Sequence, residues 1–173
     1  IVPRKGVIEI QRLLQEVEDK VVVSIGSSHL CVTASVFTLT TKLIDGKFPD
    51  YDRVIPKDGD KVVMAEKQEL RQALSRTAIL SNEKFRGIRV SISKGQLQLS
   101  ANNPEQEEAE ETVSVDYNGD SLEVGFNVSY LQDVLGVIAS EKVRITLLDG
   151  NSSAVIEDPK CEDAVYVVMP MKL

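Results

Sequence analysis

Apolar positions along this chain switch between helical and strand spacing, and the switch occurs three times in the same order. Val7, Ile10, Leu14 and Val17 recur at three and four residues, as on one helix face. Val-, Ile- and Thr-rich runs at 20–25, 29–34 and 36–43 follow, with Gly26 and its serines at a turn. A second unit opens with a strand at 61–65. A helix from Lys67 then carries Leu70, Ala73, Leu74 and Thr77 on one stripe, and strands at 87–93, 96–101 and 110–116 complete the unit, with Lys94-Gly95 as a two-residue turn. The third has a strand at 122–126 and a helix capped by Asn127 with Val128, Leu131, Val134, Leu135 and Ile138 inward. Its strands fall at 143–148, 153–156 and 165–169, with Asp149-Gly150 at a turn.

Such units pair into antiparallel sheets with helices on one face, so the fold class is α+β. Two units make one domain. Residues 51–173 are thus expected to form a complete domain, and residues 1–50 a half domain with its linker. The stretch 43–57, with Gly46, Pro49 and Pro56, has linker composition, and a start at Ile1 suggests a piece of a longer protein.

Charge refines the picture. The net charge of −7 argues against a surface that coats nucleic acid or membrane everywhere. Residues 1–94 nevertheless hold 16 basic against 12 acidic side chains, whereas 95–141 hold ten acids and no Lys or Arg. The run Glu105, Glu107, Glu108, Glu110 and Glu111 is either a solvated face or an acidic edge that docks against a basic surface. No apolar stretch reaches the roughly 20 residues of a membrane span. Cys31 and Cys161 lack C-x-x-C partners and read as reduced thiols of a cytoplasmic protein.

Catalytic signatures are missing: there is no G-x-S-x-G, Walker-type loop or G-x-G-x-x-G. The single His29 follows Ser27-Ser28 in a turn, without an oxyanion signature or orienting acid nearby. The glutamates at 105–111 lie on a strand-like run that splays them to opposite faces, so no metal site and no cofactor are expected. A binding or scaffold protein remains.

Six strings, in order, span the chain: Ile1-Val2-Pro3-Arg4-Lys5-Gly6, Asp45-Gly46-Lys47-Phe48-Pro49-Asp50-Tyr51, Ala78-Ile79-Leu80-Ser81-Asn82-Glu83-Lys84-Phe85-Arg86-Gly87, Ala101-Asn102-Asn103-Pro104 running on to Glu111, Gly125-Phe126-Asn127-Val128-Ser129-Tyr130, and Tyr166-Val167-Val168-Met169-Pro170-Met171-Lys172-Leu173. Together they resemble the bacterial DNA polymerase III β subunits, the sliding clamps. The resemblance implies a non-catalytic processivity factor, a cytoplasmic protein whose protomers of three similar domains close head-to-tail into a homodimeric ring around duplex DNA. It implies helices lining the hole, so that Arg4, Lys5, Arg12, Arg71, Arg76 and Arg86 are candidate phosphate contacts. By helical phase, Lys5 and Arg12 fall opposite the Val7 stripe, and Arg71 and Arg76 flank the polar face of the second helix. Sliding calls for such diffuse contacts without base readout.

The resemblance also implies a hydrophobic groove for short peptides of the polymerase III catalytic subunit, the clamp loader, other polymerases and repair proteins. Matching positions are Pro49, Arg53, Val54, Asn127, Tyr130, Ser153, Val167, Met169, Pro170, Met171 and Leu173. Lys172 stands where the family often has Arg. Ile79 points about 180° from the Leu70 and Leu74 stripe and Leu80 lies at its edge. With Phe85 and the acids at 105–111, they are assigned to the dimer contact. The other reading is an acidic protein-interaction module of the same fold that never touches DNA.

Overall fold

The computed structural model describes residues 1–172 apart from Glu16, Pro49 and Lys57, and gives only the backbone at Arg53 and Glu162. Two compact units result, Ile1–Asp50 and Tyr51–Leu173.

The first unit holds helix α1 (Arg4–Leu14) and the antiparallel strands β1 (Val22–Ile25), β2 (His29–Thr33) and β3 (Thr38–Lys42), in that sheet order. Pro3 precedes α1 as its N-cap, where a residue without an N–H is tolerated. The expected apolar stripe is the packed face only in part, with Ile10 and Leu14 half-buried. Val7 is half exposed at 50%, and the helix ends before Val17. The buried position is Gly6, where a Cβ would lie 2.8 Å from the Thr41 hydroxyl oxygen; glycine is what lets the helix approach β3. Helical period alone does not reveal that a residue without a side chain sets the contact face. Leu30 and Val32 of β2 are buried, while all of β1 is exposed.

The second unit begins with α2 (Tyr51–Val54), a single turn within the stretch expected to be linker. Then come β4 (Lys61–Glu66), α3 (Lys67–Thr77), a 3-10 turn (Ala78–Leu80), β5 (Gly87–Ser93), β6 (Gln96–Asn102) and β7 (Glu108–Asp116). The last part holds β8 (Leu122–Asn127), α4 (Val128–Val137), β9 (Lys142–Leu147), β10 (Ala154–Asp158) and β11 (Cys161–Val168). All ladders are antiparallel, in the order β11-β10-β9-β4-β7-β6-β5-β8. The β4–β7 ladder has only two pairs, Met64 with Asp116 and Ala65 with Val115, so the sheet is two four-stranded halves joined at one short seam. At the far end the Met171 N–H donates to the Gly125 carbonyl at 2.9 Å, tying the tail after β11 to β8.

Alternation puts Ile88, Val90 and Ile92 of β5, Leu97 and Leu99 of β6 and Val113 and Val115 of β7 on one side. They meet Leu70, Ala73 and Leu74 of α3 and Val128, Leu131 and Leu135 of α4 in one core. Thr77, fully buried, donates its hydroxyl to the Ala73 carbonyl at 2.9 Å, as a buried polar group must. Asn127 caps α4 by accepting from the Ser129 N–H at 2.9 Å, and Gly95 at φ +75° closes the β5–β6 hairpin.

Asp158 holds the end of α4 in place. Its carboxylate accepts from the backbone N–H groups of Ala139 (3.2 Å), Ser140 (3.0 Å) and Lys160 (2.9 Å), and from the Ser140 hydroxyl. These donors, the Ser140 hydroxyl foremost, hold its pKa down to about 2.

Candidate functional site

The six candidate basic residues divide by what their side chains do. Arg4 and Lys5 open α1, are exposed, and form no ion pair among the described residues. Arg12, one turn from the end of the same helix, is bound by Glu9 at 2.9 Å. Arg71 is exposed on the flank of α3 that faces α4. There Ser75 accepts from the Gln132 amide at 3.2 Å and a shallow cleft runs past Asp133 and Gly136. Arg76 lies on the opposite flank, where its Nε and Nη2 reach the two carboxylate oxygens of Glu111 at 2.6 and 3.0 Å. That pairing pushes the Glu111 pKa down and the Arg76 pKa up. Arg86, at φ +52°, donates its guanidinium to the Ala78 carbonyl at 3.1 Å, closing the end of the 3-10 turn. Among the described residues Arg71 has no ion-pair partner, whereas Arg12, Arg76 and Arg86 have intramolecular partners.

The acidic run is not one surface. Glu105 and Glu107 lie in the turn before β7, with Asn103 donating to the Glu107 carboxylate at 2.7 Å. Glu108 and Glu110 stand on the outer face of β7, Glu110 accepting from the Gln98 amide, while Glu111 shares the helix-facing side with Val113 and Val115. From Glu108 to Ser114 the strand is paired with β6 alone, since its ladder with β4 starts at Val115. An open edge therefore runs past the acids. Ile79 is 77% and Phe85 57% exposed, with Leu80 half-buried between the helix end and Ser81. The Asn82 carboxamide accepts from the Lys84 and Phe85 N–H groups at 3.0 Å each, a turn that presents the Phe85 ring outward with the Lys84 ammonium 5.3 Å from its centroid.

Of the expected peptide-groove residues, Val54, Ser153 and Met169 meet in one cleft of about 610 Å³. Its apolar wall comes from Val54, Ile55, Pro56, Leu148 and Met169, and Met169 is 65% exposed immediately beyond β11. The polar side is Asn151, Ser152 and Ser153, held by Asp149, whose carboxylate accepts from the Asn151 and Ser152 N–H groups at 2.8 Å each. Those bonds, Asn151 first, hold the Asp149 pKa below the usual carboxylate value. Asp52 and Asp58 stand at the rim. Pro170 and Met171 are half-buried, Met171 through its tie to Gly125, and Val167 faces Val155 across the β10–β11 ladder. Tyr130 is 59% exposed on α4. Asn127, by contrast, is occupied: besides capping α4, its amide donates to the Phe85 carbonyl at 3.1 Å. Pro49 and Leu173, and the side chain of Arg53, lie outside the described residues.

Ile55, Pro56, Leu148, Asn151 and Ser152 were not expected at the cleft. The only sequence signal near them is the Asp149-Gly150 turn, which marks a loop without saying what it faces. The core encloses only a void of about 30 Å³ lined by apolar side chains, which offers no chemistry. Among the described residues no cluster of His, Cys, Asp and Glu is placed to hold a metal ion, and no helix is long and apolar enough to cross a membrane.

Comparison with known proteins adds a whole-chain relationship. Residues 52–172 match the family described as DNA polymerase III beta subunit, C-terminal domain, and residues 1–50 match the central domain of the same subunit. The beta sliding clamp of Pseudomonas putida is 60% identical over 173 residues, covering 100% of this chain and 47% of the relative. That of Escherichia coli K12 is 53% identical with the same coverage. Among solved structures, a Pseudomonas aeruginosa DNA polymerase sliding clamp superposes with a TM-score of 0.88 at 60% identity, covering 100% of this chain and 47% of that one. Caulobacter crescentus pol III beta reaches 0.90 at 36% identity, covering 100% and 47%. The chain spans about half the length of the curated relatives it matches. With two consecutive modules matched in order along its whole length, it belongs to the DNA polymerase III beta subunit family.

Proposed function

We propose that this chain works as part of a sliding clamp, a non-catalytic processivity factor that encircles duplex DNA in the bacterial cytoplasm and tethers the replicative polymerase. In this reading residues 1–50 are the second half of the middle clamp domain with its linker, and residues 51–173 are the complete C-terminal clamp domain. The observation that carries it is the cleft built from α2, the Leu148–Ser153 loop and Met169. It is an apolar wall beside a polar turn, open to solvent and of a size that takes a few side chains of an extended peptide. Short peptides of the polymerase III catalytic subunit, the clamp loader, other polymerases and repair proteins are its proposed ligands. Met169 supplies an adaptable contact for varied sequences.

Two further surfaces support the ring. The open edge of β7, with Ile79, Leu80 and Phe85 beside it, suits a second copy docking head-to-tail through a basic, apolar face. Lys5, Arg4 and Arg71, without ion pairs among the described residues, suit sequence-independent contact with phosphate. The deciding experiment is retention of the ring-forming protein on nicked circular DNA against the same DNA linearised. A clamp stays on the circle through a salt wash and runs off the linear form. Equal loss from both, with the peptide cleft still functional, would favour the acidic interaction module that never touches DNA.

A further inference from the structure

We infer that Glu111 is a positioning residue that withholds Arg76 from DNA, so that the charge at the end of α3 is held in reserve and takes no part in phosphate binding while this pair is intact. The inference rests on the DNA-facing role proposed for α3. Arg76 stands in the last turn of that helix, and by helical phase it flanks the polar face opposite Arg71. Alone, it would be as good a phosphate contact as Arg71.

It is not alone. Both of its facing nitrogens are engaged by both oxygens of one carboxylate, the fork-to-fork geometry in which guanidinium binds carboxylate most strongly. The two partners come from elements packed on each other, α3 and β7, so the contact does not depend on a flexible chance encounter. Glu111 lies on the helix-facing side of β7, and its side chain is 28% exposed against 55% for Arg76. The carboxylate is therefore the fixed member and the guanidinium the mobile one. A phosphate approaching Arg76 meets a neutral pair, and to take the guanidinium it must displace two bonds already made. A neutral pair neutralises no phosphate and so releases none of the counterions condensed on duplex DNA, the release that supplies the affinity.

Arg12 gives a contrast. Its Glu9 partner is one turn away on the same exposed helix, an arrangement that is worth little and opens easily.

The test compares the wild-type polypeptide with E111Q, R76A and R76A/E111Q for binding to a labelled mixed-sequence duplex across a salt series. Circular dichroism checks that each remains folded, and Glu111→Gln keeps side-chain shape. E111Q is expected to steepen the dependence of log K on log salt by about 0.9, one added phosphate contact, so that affinity falls about 3.5-fold more than for wild type between roughly 50 and 200 mM salt. R76A should match the wild-type slope, and the double variant should match R76A. If E111Q leaves the slope unchanged, or if the gain persists in the double variant and so reflects only one fewer negative charge, the inference is overturned. A slope already lowered in R76A alone overturns it too, because Arg76 would then be in contact with DNA in the wild type. A wild type with no salt-dependent affinity for the duplex would instead remove the DNA-binding reading of α3 and leave the ion pair a structural contact only.

Discussion

Met169 is where fold and proposed function separate most cleanly, and its truncation can be worked through. The side chain stands just past β11 on the cleft wall with Leu148 and Val54, and the residue is 65% exposed, so the fold uses only about a third of its surface. Complete burial of a methionine is worth about 1.5–3 kcal/mol. Met169→Ala should therefore cost the fold no more than about 1 kcal/mol. A peptide that covers the exposed part gains most of the remainder, about 1–2 kcal/mol, and loses it in the variant, which is about 5- to 30-fold in Kd. Met169→Leu, close in volume, should stay near wild type. Fluorescence anisotropy with a labelled polymerase-tail peptide reads the affinity, and thermal melting of the same samples reads the fold. An unchanged Kd for Met169→Ala, with the melting temperature within a few degrees of wild type, would refute the assignment of the peptide to this cleft.

Three more outcomes follow from the structure. Asp158, its pKa depressed to about 2 against 3.8 for a free Asp, contributes stability that is fully present above about pH 4 and is lost as pH falls through about 2; Asp158→Asn should lower the melting temperature at pH 6 and flatten its decline between pH 4 and pH 2. Leu74→Ala, deep in the core at 1% exposure, should destabilise the Tyr51–Leu173 unit by about 3–5 kcal/mol, measured by urea unfolding. Replacing Ile79 and Leu80 together by Ala should leave the protein folded by circular dichroism, since Ile79 is 77% exposed and Leu80 is only half-buried, yet shift the ring-forming protein from dimer to monomer in sedimentation; a dimer of unaltered stability would count against the contact.

What the sequence disclosed depended on whether one element carried its own signal. The stripes of α3 and α4 were legible because each packs on a core within its own unit, and Asn127 was legible as a cap because capping is decided within three residues. The stripe of α1 was legible only in part: Ile10 and Leu14 are half-buried, but Gly6 makes the close contact with β3, and a residue with no side chain leaves no mark in a hydrophobic pattern. The turn of α2 was hidden in a segment whose prolines and glycine speak for a linker.

The cleft was legible only where the family resemblance reached it. Its walls come from Asp52, Val54, Ile55, Pro56 and Asp58, from Leu148 and residues 151–153, and from Met169, brought together by tertiary structure that no local period encodes. Arg76 and Glu111 show the same gap for charge. Each was assigned to a surface by its own neighbours, and only the packing of α3 against β7 makes the two of them one neutral pair.

The open edge of β7 also bears on which assemblies the protein refuses. An unpaired strand edge ordinarily invites a second copy of itself, and an antiparallel self-pairing centred on Ala109 would bring Glu108 and Glu110 of one copy against the same acids of the other. Like charges directly opposite are destabilising in a ladder, so the strand rejects its own image. Symmetric back-to-back pairs, and the stacked aggregates that would grow from them, are disfavoured before any partner arrives. An edge that repels itself can remain exposed at high protein concentration and still be available to a strand of opposite charge.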